Sequence, residues 1–153
     1  MERRDMLKTV AGTVAGVLAA QAMAAESTGT PDAHHHHQHG AMGQPYTALS
    51  TTAGHCLQAG ETCLSHCLVL LGQGETHMAP CAQAVREMLA VCDALARLAL
   101  QQSAFTPAQA KVAAEVCAHC QKACQEHADQ HEECQACAKA CAACEKECRA
   151  LAA

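Results

Sequence analysis

From Tyr46 onward, apolar and small residues recur at intervals of three and four. That spacing gathers side chains on one face of an α-helix. No segment alternates with period two over a useful length, so no strands are expected. The first helix is predicted from Tyr46 to Leu71, stopped by Gly72-Gln73-Gly74. The second runs from about Met78 to Leu100, with Thr76 as its capping residue and Pro80 in its first turn. The third opens sharply at Thr106-Pro107-Ala108-Gln109 and ends near Glu126 or His127. There Thr106 reads as the cap, Pro107 as the first helical position and Gln109 as the far side of a capping box. The fourth starts within Asp129-Gln130-His131-Glu132 and runs to about Arg149, with one long helix across this break as the alternative. Four helices of similar length on short loops imply an all-α fold, an antiparallel up-down-up-down four-helix bundle over residues 45–153.

The stripes that should carry leucine carry cysteine. In the fourth helix Cys134, Cys137, Cys141, Cys144 and Cys148 are separated by alternating steps of three and four, the pattern of a core-facing seam. Charged neighbours such as Lys139, Glu145 and Lys146 fall on the outer face. The third helix repeats this with Cys117, Cys120 and Cys124, followed by His127. The first places Cys56, Gly60, Cys63, Cys67 and Leu70 on one stripe, and the second Cys81, Val85, Met88, Cys92, Leu95 and Ala99. All 13 cysteines therefore lie on predicted core positions. Packing alone explains this poorly, because leucine buries more area in the same place.

Two N-terminal segments stand outside the bundle. Residues 1–25 carry Arg3 and Arg4, a mild apolar run and the small-x-small site Ala22-Met23-Ala24. These are the parts of an export signal, and the arginine pair before Met6-Leu7-Lys8 resembles the twin-arginine type, whose route carries folded proteins. The expected destination is the periplasm or another exported location, with no membrane anchor on the mature chain. Residues 26–44 are rich in Gly, Ser, Thr, Pro and His without periodicity and read as a flexible tail. Within it His34, His35, His36, His37 and His39 form a tract suited to loose metal binding.

Composition narrows the function. With one tyrosine, one phenylalanine and no tryptophan, the core must be built from Leu, Val, Met, Ala and Cys. A small core of this kind usually needs disulfides, metal or oligomerisation to support it. A formal charge of −5 and the lack of a basic, aromatic-studded patch argue against a nucleic-acid partner. Disulfides fit poorly within one helix, since Cβ vectors at i and i+4 run nearly parallel, but cross-helix pairs stay open. A thiol-redox enzyme would want one exposed, low-pKa cysteine at a helix start, so no enzyme is expected. Thiolates bind Cu(I), Zn(II) and iron–sulfur clusters. Zinc prefers discrete four-ligand sites, and Pro follows none of the cysteines as it does in the bacterial ferredoxin run. Cu(I) suits a continuous ladder of thiols best. A zinc or iron–sulfur protein and a disulfide-braced structural protein remain the alternatives.

These residues resemble the bacterial copper storage proteins, specifically their exported, twin-arginine class. The resemblance rests on the signal and on C-x3-C and C-x2-C spacings spread over successive helices. It implies a cysteine-lined bundle that holds many Cu(I) ions, assembles as a homo-tetramer, and buffers copper or supplies it to copper-requiring enzymes or chaperones. The predicted topology also gathers His66, His77, Met78, His127 and His131 at one end, beside Cys67, Cys81, Cys124 and Cys134. Of these, Met78, His127 and His131 are the candidate entrance ligands. His55 and His119 are expected on the surface. The opposite end, with Tyr46, Leu49, Leu98, Leu100 and Phe105, is more apolar.

Overall fold

The computed structural model describes residues 45–152, so the expected export signal and His-rich tail lie outside the described residues. Four helices follow one another: α1 (Thr47–Gly72), α2 (Ala79–Leu100), α3 (Thr106–Gln125) and α4 (Glu132–Ala152). A single 3-10 turn, Thr76–Met78, leads into α2. The expected break between α3 and α4 is present. Each helix packs on its neighbours in sequence, and α4 closes back on α1. No Cα of α1 comes within 8 Å of one in α3, nor α2 of α4. The four therefore stand at the corners of a square, and side chains alone fill the middle. No described helix is long and apolar enough to cross a membrane.

The helix ends follow from the loop residues. Gly74 sits at φ +96, a left-handed conformation that favours glycine. The Glu75 N–H reaches the Leu70 carbonyl at 3.0 Å and the Gly74 N–H that of Leu71 at 3.1 Å. This pair of bonds is a Schellman termination. The end of α2 repeats it with Gln102 in the glycine position, at φ 52, and with bonds from Ser103 to Leu98 and from Gln102 to Ala99.

The helix starts depart from the capping expected of the sequence. Phe105, not Thr106, holds the cap position of α3, and no side chain caps it. Thr106 is already helical and its hydroxyl is buried without a partner. Gln109 turns instead to the Val91 carbonyl of α2, donating at 3.1 Å. A side chain that can tie two helices together is here used for that rather than for a local box. Thr76 likewise lies within the 3-10 turn, and Met78 precedes α2 without a side-chain cap.

The interior changes character along its length. At the end formed by the starts of α1 and α3 and the closes of α2 and α4, it is built of Leu49, Ala53, Leu95, Ala99, Ala110, Ala113 and Ala114, with Cys148 the one thiol among them. Toward the other end it is cysteine. Between the cysteine levels of α1 and α2, Gly60 makes room for Met88. A Cβ on Gly60 would meet Met88 Cε at 2.5 Å and Leu89 Cδ2 at 2.9 Å.

Candidate metal centre

All thirteen cysteines are free thiols and all are buried. Their Sγ atoms touch across helices and along them. Cys81 meets Cys124 and Cys92 meets Cys117 at 3.6 Å. Cys63 meets Cys134 at 3.8 Å and Cys67 meets Cys81 at 3.9 Å. Cys144 lies 3.9 Å from Cys148, and Cys120 lies 4.0 Å from both Cys124 and Cys137.

These contacts resolve into groups whose sulfurs lie within 4.8 Å of one another. Two have four members, Cys56/Cys92/Cys117/Cys144 and Cys63/Cys67/Cys81/Cys134. Two have three, Cys63/Cys124/Cys137 and Cys120/Cys137/Cys141. Shared members, Cys63 and Cys137, fuse three of the groups into one set of sulfurs on the side of the α1–α2 loop. The remaining group, extended by Cys148, forms a second set deeper in. Cys141 touches both sets, since it also interacts with Cys56 and Cys117.

The spacing suits an inserted soft ion. With metal–sulfur bonds of about 2.3 Å, two sulfurs lie about 3.8 Å apart around a tetrahedral ion and about 4.0 Å apart around a trigonal one. A linear pair needs about 4.6 Å at the same bond length. The observed contacts of 3.6–4.0 Å thus fit a shared three- or four-sulfur environment with almost no helix movement.

Crowding makes the thiols unequal. A proton leaves one thiol more readily when its neighbours donate S–H to the resulting thiolate, and less readily from the donors. Cys117 is drawn down to about 5, chiefly by its contact with Cys141. Cys92 is pushed up, chiefly by Cys117. In the outer set Cys81 is lowered, Cys124 being the main cause. Cys63 is raised, again with Cys124 first.

The end of the bundle nearest the outer set carries the imidazoles that the sequence placed there. His66 Nε2 and His131 Nδ1 lie 3.0 Å apart. His66 Nδ1 lies 3.5 Å from Glu133 Oε1. His77 and His127 stack obliquely with ring centres 5.5 Å apart, and His77 Nδ1 is 3.4 Å from Glu75 Oε2. Met78 is fully buried, while His127 and His131 are half-buried and His55 and His119 exposed.

The family model for the copper storage proteins matches residues 42–153. The chain belongs to the copper storage protein family. It is 37% identical over 99 residues to the cysteine-rich protein YhjQ of Bacillus subtilis (strain 168), an alignment covering 64% of this chain and 87% of that one. Among solved structures it is similar to apo copper storage protein 3 of Bacillus subtilis (TM-score 0.62, 30% identity, 71% of this chain and 99% of that one). The match to the Cu(I)-bound form of the Bacillus subtilis protein is the same in kind (TM-score 0.63, 29% identity, 71% and 98%). A cytosolic copper storage protein from Streptomyces lividans, carrying five coppers, is similar at TM-score 0.63 and 29% identity over 69% and 89% of the two chains.

Membership of this family makes the cysteine core a store for several Cu(I) ions rather than a catalytic centre. The fold resembles the copper-free and copper-bound relatives equally, which agrees with the small movement that the sulfur spacing demands. Reading the sequence found every cysteine and the cluster of histidines. It missed Glu133, whose only signal was its place next to Cys134 at the start of α4, and it missed the Gly60–Met88 contact.

Proposed function

We propose that this copper storage protein holds Cu(I) on all thirteen cysteines and works outside the cytoplasm, as a buffer or as a supply for copper-requiring enzymes or chaperones. The observation that carries the ligand set is that every cysteine is buried and free of disulfides, with sulfur neighbours at metal-binding spacing. Export is supported by the sequence of residues 1–25. A route for folded proteins would let the thiols be enclosed before they meet an oxidising compartment. Assembly as a homo-tetramer is part of the same reading, by resemblance to the exported class.

Entry is proposed at the end that holds Met78, His127 and His131. Thioether and imidazole are weaker Cu(I) ligands than thiolate, so they can pass ions inward. The opposite end offers Leu, Ala and Thr side chains at its buried positions, with Cys148 as its one thiol.

The test is an anaerobic Cu(I) titration of the reduced protein against a chromogenic chelator, with thiols counted in parallel. Uptake of about one ion per thiol, as soft thiolate ligands allow, is the expected result. Saturation at one to three ions would sink the thirteen-ligand reading. In the same assay, combined replacement of Met78, His127 and His131 should slow uptake and removal. Unchanged rates would move the entrance elsewhere.

A further inference from the structure

The pair formed by His66 and His131 has a geometry unlike that of the sulfur core. We propose that it is a separate site for Cu(II), built from the two imidazoles and oriented by Glu133.

Three observations carry this. The first is the spacing of the nitrogens. With metal–nitrogen bonds of about 2.0–2.1 Å, two nitrogens on a linear ion stand about 4 Å apart, and two at right angles about 2.9 Å apart. His66 Nε2 and His131 Nδ1 are joined by a hydrogen bond of 3.0 Å, and the same spacing matches adjacent positions of a tetragonal ion that would take the place of the shared proton. That is the coordination Cu(II) prefers with nitrogen and oxygen ligands, and Cu(II) binds such donors most tightly of the common divalent ions.

The second observation is the carboxylate behind one of them. Glu133 Oε1 faces His66 Nδ1 at 3.5 Å, on the side of the ring away from His131. A carboxylate there favours the proton on Nδ1, so that Nε2 accepts the hydrogen bond from His131 Nδ1 and offers the same lone pair to an ion that displaces that proton. His66 and Glu133 are about three-quarters buried, at 24% and 27% side-chain exposure. The His77–His127 pair also has a carboxylate, Glu75 Oε2 at 3.4 Å from His77 Nδ1, but both of those side chains are about half exposed, at 54% and 53%. Its rings are 5.5 Å apart at their centres and His77 is exposed.

The third is access. His66 and Glu133 line an open groove between α1 and α4, together with Glu61, Thr62, Ser65 and Val69. The groove leaves room for water and brings a second carboxylate alongside. His66 precedes Cys67 and Glu133 precedes Cys134, so one step around each helix, about 100°, separates the nitrogen and oxygen donors outside from the thiols inside. Oxidised copper would thus be held on hard and borderline ligands at the rim, apart from the thiols it would oxidise.

The experiment uses the full chain, filled anaerobically with Cu(I) so that no thiol is free. His34, His35, His36, His37 and His39 are replaced by glutamine to remove the tail as a competitor. Cu(II) is then titrated against glycine and followed by electron paramagnetic resonance. One ion per chain with hyperfine coupling to two nitrogens is expected. His66→Gln or His131→Gln should abolish the two-nitrogen signal. Glu133→Gln should keep it but weaken binding about tenfold or more, the usual cost of losing such an orienting partner. His55→Gln and His119→Gln should change nothing. Helicity by circular dichroism verifies that each variant is folded. A two-nitrogen signal that survives His66→Gln, or no stoichiometric Cu(II) binding at all, would overturn the proposal.

Discussion

At the scale of single residues, two buried groups make measurable statements. Thr106 Oγ1 is buried and has no hydrogen-bond partner, in a part of the interior that is otherwise alanine and leucine. An unpaired buried hydroxyl costs about 1–3 kcal/mol, whereas a methyl group of the same shape belongs there. Thr106→Val is therefore expected to stabilise the reduced, metal-free protein by about 1 kcal/mol, seen as a higher denaturant midpoint. Equal or lower stability would mean that the hydroxyl finds a partner in solution. Cys117 is the second case. Its thiol is held near 5, with Cys141 as the main cause. Because this pKa is depressed, the thiolate is present above about pH 5 and is lost as pH falls through that value. Cu(I) affinity at Cys56/Cys92/Cys117/Cys144 should fall with it, since each ion must then displace a further proton. A pH titration of thiolate absorbance in the far ultraviolet should show a step near pH 5 that vanishes in Cys117→Ser.

At the scale of elements, the two helix-ending turns differ in a single residue choice. Both α1 and α2 close with the same pair of backbone bonds, but α1 uses Gly74 in the left-handed position and α2 uses Gln102. A residue with a Cβ pays about 1–2 kcal/mol in that conformation. Gln102→Gly should recover about 1 kcal/mol of this, measured as a rise in the melting temperature of the metal-free protein. A fall would show that the Gln102 side chain contributes more than its backbone costs. The elements also differ in what they bring to the core. α4 supplies five thiols and α2 only two, and α2 fills the gap with Val85, Met88 and Leu95. Gly60 on α1 is the complement of this choice, since any larger residue would collide with Met88.

At the scale of the whole molecule, most of the fold was legible because the signal was repeated. Thirteen cysteines on the three-and-four spacing marked the inner face of four helices, and Gly72-Gln73-Gly74 and Pro107 marked where those helices stop and start. Short loops then left little choice of topology. The capping box at Thr106 failed because Gln109 found a partner on α2, a contact that local sequence does not contain. The division of the sulfurs into groups was equally hidden. It depends on how the helices are rotated and staggered against one another, as does the meeting of His66 with His131 across 65 residues of chain.

The graded interior has a consequence for order in time. Thiols reach nearly to the end that carries the imidazoles, while alanine and leucine, with Cys148 among them, fill the other. With entry at the imidazole end, as proposed above, the interior would behave as a stack: what goes in last comes out first. Ions on the outer set, around Cys67, Cys81, Cys124 and Cys134, would then leave at once. Those on Cys56, Cys92, Cys117, Cys144 and Cys148 would wait for them, with Cys141 as the rung between. Such a molecule carries a quick reserve and a slow one in the same chain, and how much copper it yields depends on how full it was a moment before.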